Sequence, residues 1–220
     1  MTTRVMLVDD DPLVRTGLRL MLESADDLSV VAEAGKGGEA LALARGQAID
    51  VVLMDLRMPG VDGIAATRGV RALPSPPQVI ALTTWDVDDA VMAALGAGAA
   101  GFLLKTSSPA EIIGAIRSVV AGDAVLSPRS TRQLLDQLRR DPALEQRRAA
   151  ERAFAALTDR ERDVAAAVGR GLTNAAIGGE LYLSEATVKT HIAAIQAKLG
   201  VANRVMVAVL AERAGLLLAG

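Results

Sequence analysis

At 220 residues the chain is long enough for one or two domains, and with 51% apolar but only 2% aromatic residues its core must be aliphatic and rich in alanine. It has no cysteine, which excludes a disulfide framework, a thiolate metal site and a cysteine nucleophile. The net charge of −2 divides unevenly: residues 1–121 carry ten basic against fifteen acidic side chains, residues 122–220 fourteen against eleven, and an acidic half before a basic half points to two modules with different partners.

The first residues run straight into a strand-like segment backed by acids rather than through a signal peptide. No apolar run reaches the roughly 18–20 residues that span a bilayer. A cytoplasmic protein with no membrane partner is expected. Residues 4–8 read as a strand ending at Asp9-Asp10-Asp11. Pro12 suits a first helical turn with Asp11 as its N-cap, and Leu13, Leu18, Leu20, Met21 and Leu22 continue at helical spacing. Residues 28–34 read as a second strand and 37–45 as a helix rich in Ala and Leu. Val51-Val52-Leu53-Met54 then runs into Asp55, and a Pro59-Gly60 break follows; a continuous apolar run bounded by turn signals reads as a strand buried on both faces. A helix over 61–73 is stopped by Pro74-Ser75-Pro76-Pro77. A strand over 78–83, a helix over 87–95, a strand over 100–105 and a helix over 109–120 complete the half. Five strand–helix pairs in about 120 residues imply a doubly wound parallel sheet with helices on both faces.

By itself an Asp at a strand end is a turn or cap residue. The other strand ends decide its meaning, because ligand chemistry in open parallel sheets gathers at the carboxyl edge. Those ends carry Asp9 and Asp10, Asp55, Thr83 and Lys105. Clustered carboxylates call for a hard, oxygen-seeking cation, with Mg²⁺ the best fit. An ammonium and a hydroxyl beside them suit a phosphoryl group, and Asp55 is the natural acceptor, as an acyl phosphate.

At these residues the resemblance is plain. Residues 4–121 resemble the receiver domain of a two-component response regulator, through Asp9-Asp10, Met54-Asp55-Leu56-Arg57-Met58-Pro59-Gly60, Leu82-Thr83-Thr84 and Gly101-Phe102-Leu103-Leu104-Lys105. The resemblance implies a flavodoxin-like, five-stranded α/β fold with Asp55 as the phosphorylation site, supplied by a sensor histidine kinase. It implies Mg²⁺ on the side chains of Asp10 and Asp55, with Asp9 assisting and the backbone carbonyl of Arg57 as a further ligand. It makes Thr83 the switch hydroxyl, Lys105 its charged partner and Phe102 the switch aromatic. Two departures stand out: Asp11 where near relatives often have His, and Thr106 where many receivers have Pro after the lysine.

Other features of this half have plainer readings. Gly96-Ala97-Gly98-Ala99-Ala100-Gly101 matches a dinucleotide-loop pattern but follows a helix and precedes a strand, the wrong order for one; it reads as a helix stop and a tight turn. Asp86, Asp88 and Asp89 read as a solvated helix start. Trp85 serves packing at least as readily as partner contact.

Residues 122–152 form a linker, partly helical, with Leu134, Leu135 and Leu138 suggesting a helix ended by Pro142. Its arginines, Arg129, Arg132, Arg139, Arg140, Arg147 and Arg148, read as a solvated face rather than a nucleic-acid patch. Residues 153–220 then read as an all-α domain. Thr158 and Glu161 fit a capping box, Gly169-Arg170-Gly171 ends that helix, Thr173 or Asn174 caps a short helix through Leu181, and Ser184 caps a longer one from Glu185 to Leu199, closed by Gly200. A last helix is expected from about Arg204 to Ala214. The core positions are Val164, Ala167, Ile177, Leu181, Val188, Ile192, Ile195 and Leu199. A short helix, a tight turn and a longer polar helix are the elements that lay a helix into the major groove.

Glu185-Ala186-Thr187-Val188-Lys189-Thr190-His191-Ile192 with Lys198-Leu199-Gly200 is similar to the LuxR-type helix-turn-helix of the NarL/FixJ regulators. That similarity implies double-stranded promoter DNA as partner, Thr187, Lys189, Thr190 and His191 on or near the DNA face, and Lys198 and Arg204 on phosphates, which position but do not specify. Ala175-Ala176, Gly178-Gly179 and Ala193-Ala194 leave both helices plainer than the family's, so affinity per monomer should be modest. The lone His191 cannot form a metal cluster. The apolar stretch Val205 to Leu210 with Ala211 and Leu216-Leu217-Leu218 exceeds what one surface helix needs, and part of it could form a two-fold interface.

The expected function is a phosphorylation-switched, DNA-binding transcription regulator. It dimerises when phosphorylated, has RNA polymerase as a further candidate partner, and is not an enzyme beyond self-catalysed phosphotransfer and autodephosphorylation. A haloacid-dehalogenase-like phosphatase would need a second Asp two residues after the nucleophile, where this chain has Arg57. A regulator indifferent to phosphorylation would not need so complete a pocket.

Overall fold

The computed structural model describes residues 2–58, 62–83, 88–123, 125–126 and 144–217. The chain divides into two compact units, residues 1–131 and 132–220. In the first, strands β1 (Thr3–Val8), β2 (Leu28–Ala34), β3 (Val51–Asp55), β4 (Gln78–Thr83) and β5 (Gly101–Leu104) alternate with helices α1 (Pro12–Leu22), α2 (Gly37–Gly46), α3 (Gly63–Arg71), α4 (Asp88–Gly96) and α5 (Pro109–Ala121). The sheet order is β2-β1-β3-β4-β5, all parallel, with a two-residue strand β6 (Val125–Leu126) added beside β5. The five-stranded sheet stands as expected; β6 lies in what the sequence suggested was linker.

The alternation of side chains along each strand explains the unbroken apolar runs. Val5, Leu7, Val51, Leu53, Ile80, Leu82 and Leu103 pack on one face with Leu18 and Leu22 of α1 and Ile112, Ala115, Ile116 and Val119 of α5. Met6, Val8, Val52, Met54 and Val79 pack on the other with Ala40 of α2 and Ala66 and Val70 of α3. Helix starts follow local chemistry. The Asp11 carboxylate accepts the Leu13 N–H, Asp62 accepts from Ala65, and Ser108 and Glu111 form a reciprocal capping box ahead of Pro109. The glycine-rich turn after α4 has Gly98 at φ 106° and leads into β5, the helix stop that its order implied. No described peptide bond is cis, so the Lys105–Thr106 bond is trans.

The second unit is all-α: α6 (Leu144–Ala155), α7 (Asp159–Gly169), α8 (Asn174–Leu181), α9 (Glu185–Leu199) and α10 (Arg204–Arg213). The expected boundary at residue 153 falls inside α6. Ala150, Phe154 and Leu157 are buried, and Phe154 and Leu157 join the core formed by Val164, Ile177, Val188, Ile192, Ile195 and Val207. The helix therefore belongs to this domain and not to a linker. Leu181 and Leu199, expected in the core, are partly buried and pack against it. The apolar excess of α10 is turned inward as well: Val205, Val207, Val209 and Ala211 are buried. Leu134, Leu135, Leu138 and Pro142 lie outside the described residues, as do Arg129, Arg132, Arg139, Arg140 and Trp85. Arg147 is exposed and pairs with Glu151 one turn on.

The turn between α8 and α9 is tight. Tyr182 takes a left-handed conformation, φ 56°, and the Leu183 N–H donates back to the Gly178 carbonyl at 2.9 Å. A Cβ on Gly178 would stand 2.7 Å from the Leu183 carbonyl oxygen, whereas one on Gly179 would meet nothing. The two adjacent glycines thus differ in kind. Gly178→Ala is expected to lower stability by about 1–3 kcal/mol through overpacking, and Gly179→Ala to raise it by about 0.5–1 kcal/mol through helix propensity. Thermal melts of the two variants check this, and equal shifts would refute it.

Candidate functional site

Parallel register brings the strand ends together. Met54 lies beside Val8, Asp55 beside Leu82 and Thr83 beside Leu104, so β1, β3, β4 and β5 finish on one edge. The carboxylates of Asp9, Asp10 and Asp55 each place an oxygen within 4.8 Å of the others. Asp9 and Asp55 are buried and Asp10 is exposed. Lys105, just past β5, reaches between the two buried acids: its ammonium lies 2.6 Å from Asp9 Oδ2 and 2.9 Å from Asp55 Oδ2. The Lys105 N–H donates to the Thr83 carbonyl at 2.7 Å, which ties the ammonium to the end of β4. Asp55 Oδ1 accepts the Arg57 N–H at 3.1 Å.

Burial pushes the Asp55 carboxyl above the ordinary Asp range. The Arg57 N–H and the Lys105 ammonium oppose that rise, and the charge of Asp9 adds to it. Burial also works against the Lys105 ammonium, but its hydrogen bonds to Asp9 and Asp55 and their charges outweigh it, and its pKa is raised. The edge thus holds a charged lysine among three acids. An all-oxygen donor set of this kind fits a hard divalent cation.

Two further expected participants lie on the strands that end at this edge. Thr83 is buried at the end of β4, and Phe102 is wholly enclosed on β5. Pro59, Gly60 and Thr84 lie outside the described residues. Gly63, which drew no notice in the sequence, proves to be part of the site. A Cβ there would fall 1.9 Å from the Asp55 carbonyl oxygen and 2.7 Å from the Leu56 Cα. The start of α3 can lie against the end of β3 only because this residue has no side chain. A glycine opening a helix carries no such message in a sequence.

In the second unit Thr187, Lys189 and Thr190 are exposed on α9 and His191 is partly exposed. The Ser184 hydroxyl accepts the Thr187 N–H at 3.1 Å, and the Thr190 hydroxyl turns back to the Ala186 carbonyl at 3.0 Å. Two expected phosphate contacts are engaged elsewhere. Arg204 is only 8% exposed; its guanidinium donates to Asn174 Oδ1 at 3.0 Å and to the Leu172 carbonyl at 2.6 Å. It braces α10 against the start of α8 and is not a surface cation. The Lys198 ammonium is held by Glu161 Oε2 at 2.7 Å. Tyr182, which the sequence did not single out, is 95% exposed in the turn before α9.

A doubly wound sheet with three acids and a lysine at its carboxyl edge, joined to a helix-turn-helix domain, defines a signal receiver coupled to a DNA reader. The profile described as "Response regulator receiver domain" matches residues 5–117, and the one described as "Bacterial regulatory proteins, luxR family" matches 155–211. The chain is 41% identical over 212 residues to the transcriptional regulatory protein LiaR of Bacillus subtilis (strain 168), covering 96% of this chain and 97% of that one. It is 41% identical over 207 residues to the nitrate/nitrite response regulator protein NarP of Escherichia coli (strain K12), covering 94% and 93%. The crystal structure of the response regulator ChrA of a heme-sensing two-component system superposes with a TM-score of 0.54 at 38% identity, covering 98% of each chain. The chain belongs to the two-component response regulators with a LuxR-type DNA-binding domain.

The contact between Glu161 and Lys198 has a readable pH signature. Glu161 also accepts from the Thr158 N–H at 2.8 Å and its hydroxyl at 3.0 Å. The Lys198 ammonium first, and then the Thr158 N–H, draw its pKa down to about 2. The unfolded value is about 4.3, so this contribution to stability is whole above that pH and fades as pH falls from there toward about 2. Lys198→Met is expected to flatten the dependence of melting temperature on pH across that window. An unchanged slope would show that the pair does not couple to folding.

Proposed function

We propose that phosphorylation of Asp55 switches this chain between weak and strong binding to promoter DNA. The observation that carries the reading is the edge at which Lys105 spans Asp9 and Asp55 with Asp10 close by. The donor is the phosphohistidine of a sensor kinase. An Asp55 carboxylate oxygen attacks phosphorus, the O–P bond forms and the P–N bond breaks, and the ring, whose other nitrogen already carries a proton, leaves as neutral imidazole. The product is an acyl phosphate. Asp10 and Asp55, with Asp9 assisting and the Arg57 backbone carbonyl as a further oxygen, would hold Mg²⁺, which neutralises charge on the transferring group. Lys105 then exchanges a carboxylate for a phosphoryl oxygen, and the Thr83 hydroxyl donates to another. Phe102, enclosed on the strand that carries Lys105, adjusts its packing in response.

The output is binding of double-stranded DNA through α9, with Thr187, Lys189, Thr190 and His191 at the groove and two half-sites read by a phosphorylation-dependent homodimer. RNA polymerase is a further partner of a regulator bound at a promoter. The chain acts in the cytoplasm and turns over no substrate beyond its own phosphotransfer and autodephosphorylation. No single described helix is long and apolar enough to cross a membrane.

Incubation with acetyl phosphate and Mg²⁺, followed by mass spectrometry, is expected to place one phosphoryl group on Asp55 and to strengthen operator binding. Asp55→Asn should lose both effects. A phosphoryl group elsewhere, or DNA binding that ignores it, would overturn the proposal. On any duplex, Lys189→Ala should lower the slope of log affinity against log salt by about 1, one phosphate contact. An unchanged slope would remove Lys189 from the DNA face.

A further inference from the structure

The bonds of Arg15 lead straight to the acidic edge. It stands on α1 with its side chain 19% exposed. Its guanidinium works in two directions. Nη1 donates to the main-chain carbonyl of Asp9 at 2.6 Å, and Nε donates to Glu33 Oε2 at 3.2 Å. Glu33, on β2, is gripped on its other oxygen by Arg19 Nε at 2.7 Å, and Arg19 is steadied in turn by Glu23 at 2.9 Å. This chain of ion pairs runs from the outer strand to the backbone of the residue that opens the acidic cluster.

Asp9 is held on every side. Its N–H donates to the Ala34 carbonyl at 3.1 Å, its Oδ1 accepts the Asp11 N–H at 3.0 Å, and its Oδ2 faces Lys105 at 2.6 Å. Its carbonyl, the last backbone group before Asp10, is the one that Arg15 holds. Among the described residues, no side-chain hydrogen bond orients the exposed Asp10 carboxylate. What aims Asp10 is therefore its backbone. The Asp9 carbonyl and the Asp10 N–H share one rigid peptide plane, so a bond that pins the carbonyl oxygen sets the direction in which Asp10 leaves β1. A guanidinium suits this task because its fixed fork spans two acceptors, whereas an ammonium is a single point charge.

We propose that Arg15 is a positioning residue for the divalent-cation site: through the Asp9 carbonyl it aims the Asp10 carboxylate, and Glu33 aims Arg15. The inference rests on the reading of Asp9, Asp10 and Asp55 as that site. Partners of this kind, which orient metal ligands without touching the metal, typically contribute 10–100-fold in affinity.

The test is calorimetric titration of the full chain with Mg²⁺ alone, beside a thermal melt of each variant. Asp10→Asn tests the site itself: loss of Mg²⁺ affinity supports it, and unchanged affinity defeats the site and the inference together. Given that loss, Arg15→Ala should weaken Mg²⁺ binding by about 10–100-fold in protein that still melts cooperatively. Arg15→Lys, which keeps charge and stem, should fall well short of the wild-type affinity, and it serves the test if the alanine variant does not fold. Glu33→Gln should give a smaller loss in the same direction. In an Asp10→Asn background, Arg15→Ala should add little, because the carboxylate it aims is gone. If Asp10→Asn weakens binding but Arg15→Ala lowers only the melting temperature, or if Lys restores full affinity, Arg15 is merely structural and the inference is overturned.

Discussion

The receiver half depends on one ammonium placed between two buried carboxylates. Asp9 and Asp55 end neighbouring strands and would repel each other in a poorly hydrated edge. Lys105 meets both at hydrogen-bond distance and is held there by its own N–H on the Thr83 carbonyl. Sheet register therefore controls charge placement. A one-residue slip in β5 would send every side chain of that strand to the opposite face. It would exchange the enclosed Phe102 for a neighbour and take the ammonium off the acids. The two aliphatic cores on either side of the sheet forbid that slip. Packing and electrostatics are one constraint here: the aliphatic pattern fixes the register, and the register brings the charges together.

The same edge shows why a lysine and not an arginine suits the position. A compact ammonium on a flexible stem can leave one carboxylate for a new anion while keeping its bond to the other. A bidentate fork would lock one geometry. Burial raises the Asp55 carboxyl toward its neutral form, while Lys105 and the Arg57 N–H favour the anion. The acceptor role proposed for Asp55 needs that anion, only lightly solvated, and the opposing influences meet in one side chain.

Much of this was legible in the sequence because parallel strands announce themselves as apolar runs and their ends can be read directly. Asp9, Asp10, Asp55, Thr83 and Lys105 needed only topology to meet. The capping chemistry at Asp11, Thr158 and Ser184 was equally local, and each of these caps its helix. Gly63 was not legible, because its requirement comes from the Asp55 carbonyl packed against it rather than from its neighbours in the chain. The place of Arg204 is hidden from the sequence for a related reason. A basic residue after the recognition helix looks outward in a sequence; only the fold reveals Asn174 and the Leu172 carbonyl waiting inside. Most of helix α6 falls in the stretch that reads as linker because that stretch is rich in arginine, while the residues that seat the helix, Ala150 and Phe154, are few.

The partners of Arg204 and Lys198 within the domain bear on how a switch can act. Affinity for a duplex rises with each phosphate neutralised at the surface. With Arg204 internal and Lys198 paired to Glu161, and with α9 exposing alanine at Ala193 beside Lys189 and Thr190, the described face of α9 offers few such contacts. Stronger intrinsic binding would leave a phosphoryl signal little to change, since the unphosphorylated chain would already occupy its sites. Weak single domains reverse that situation. Joining two of them on paired half-sites turns the second binding step into an intramolecular one, and avidity can then exceed either affinity by about 10²–10⁴ without any new contact. Under the proposed switch, the plainness of the recognition helix is a condition for control by association: a phosphoryl group on Asp55 would act through the number of domains that meet the DNA rather than through the strength of each.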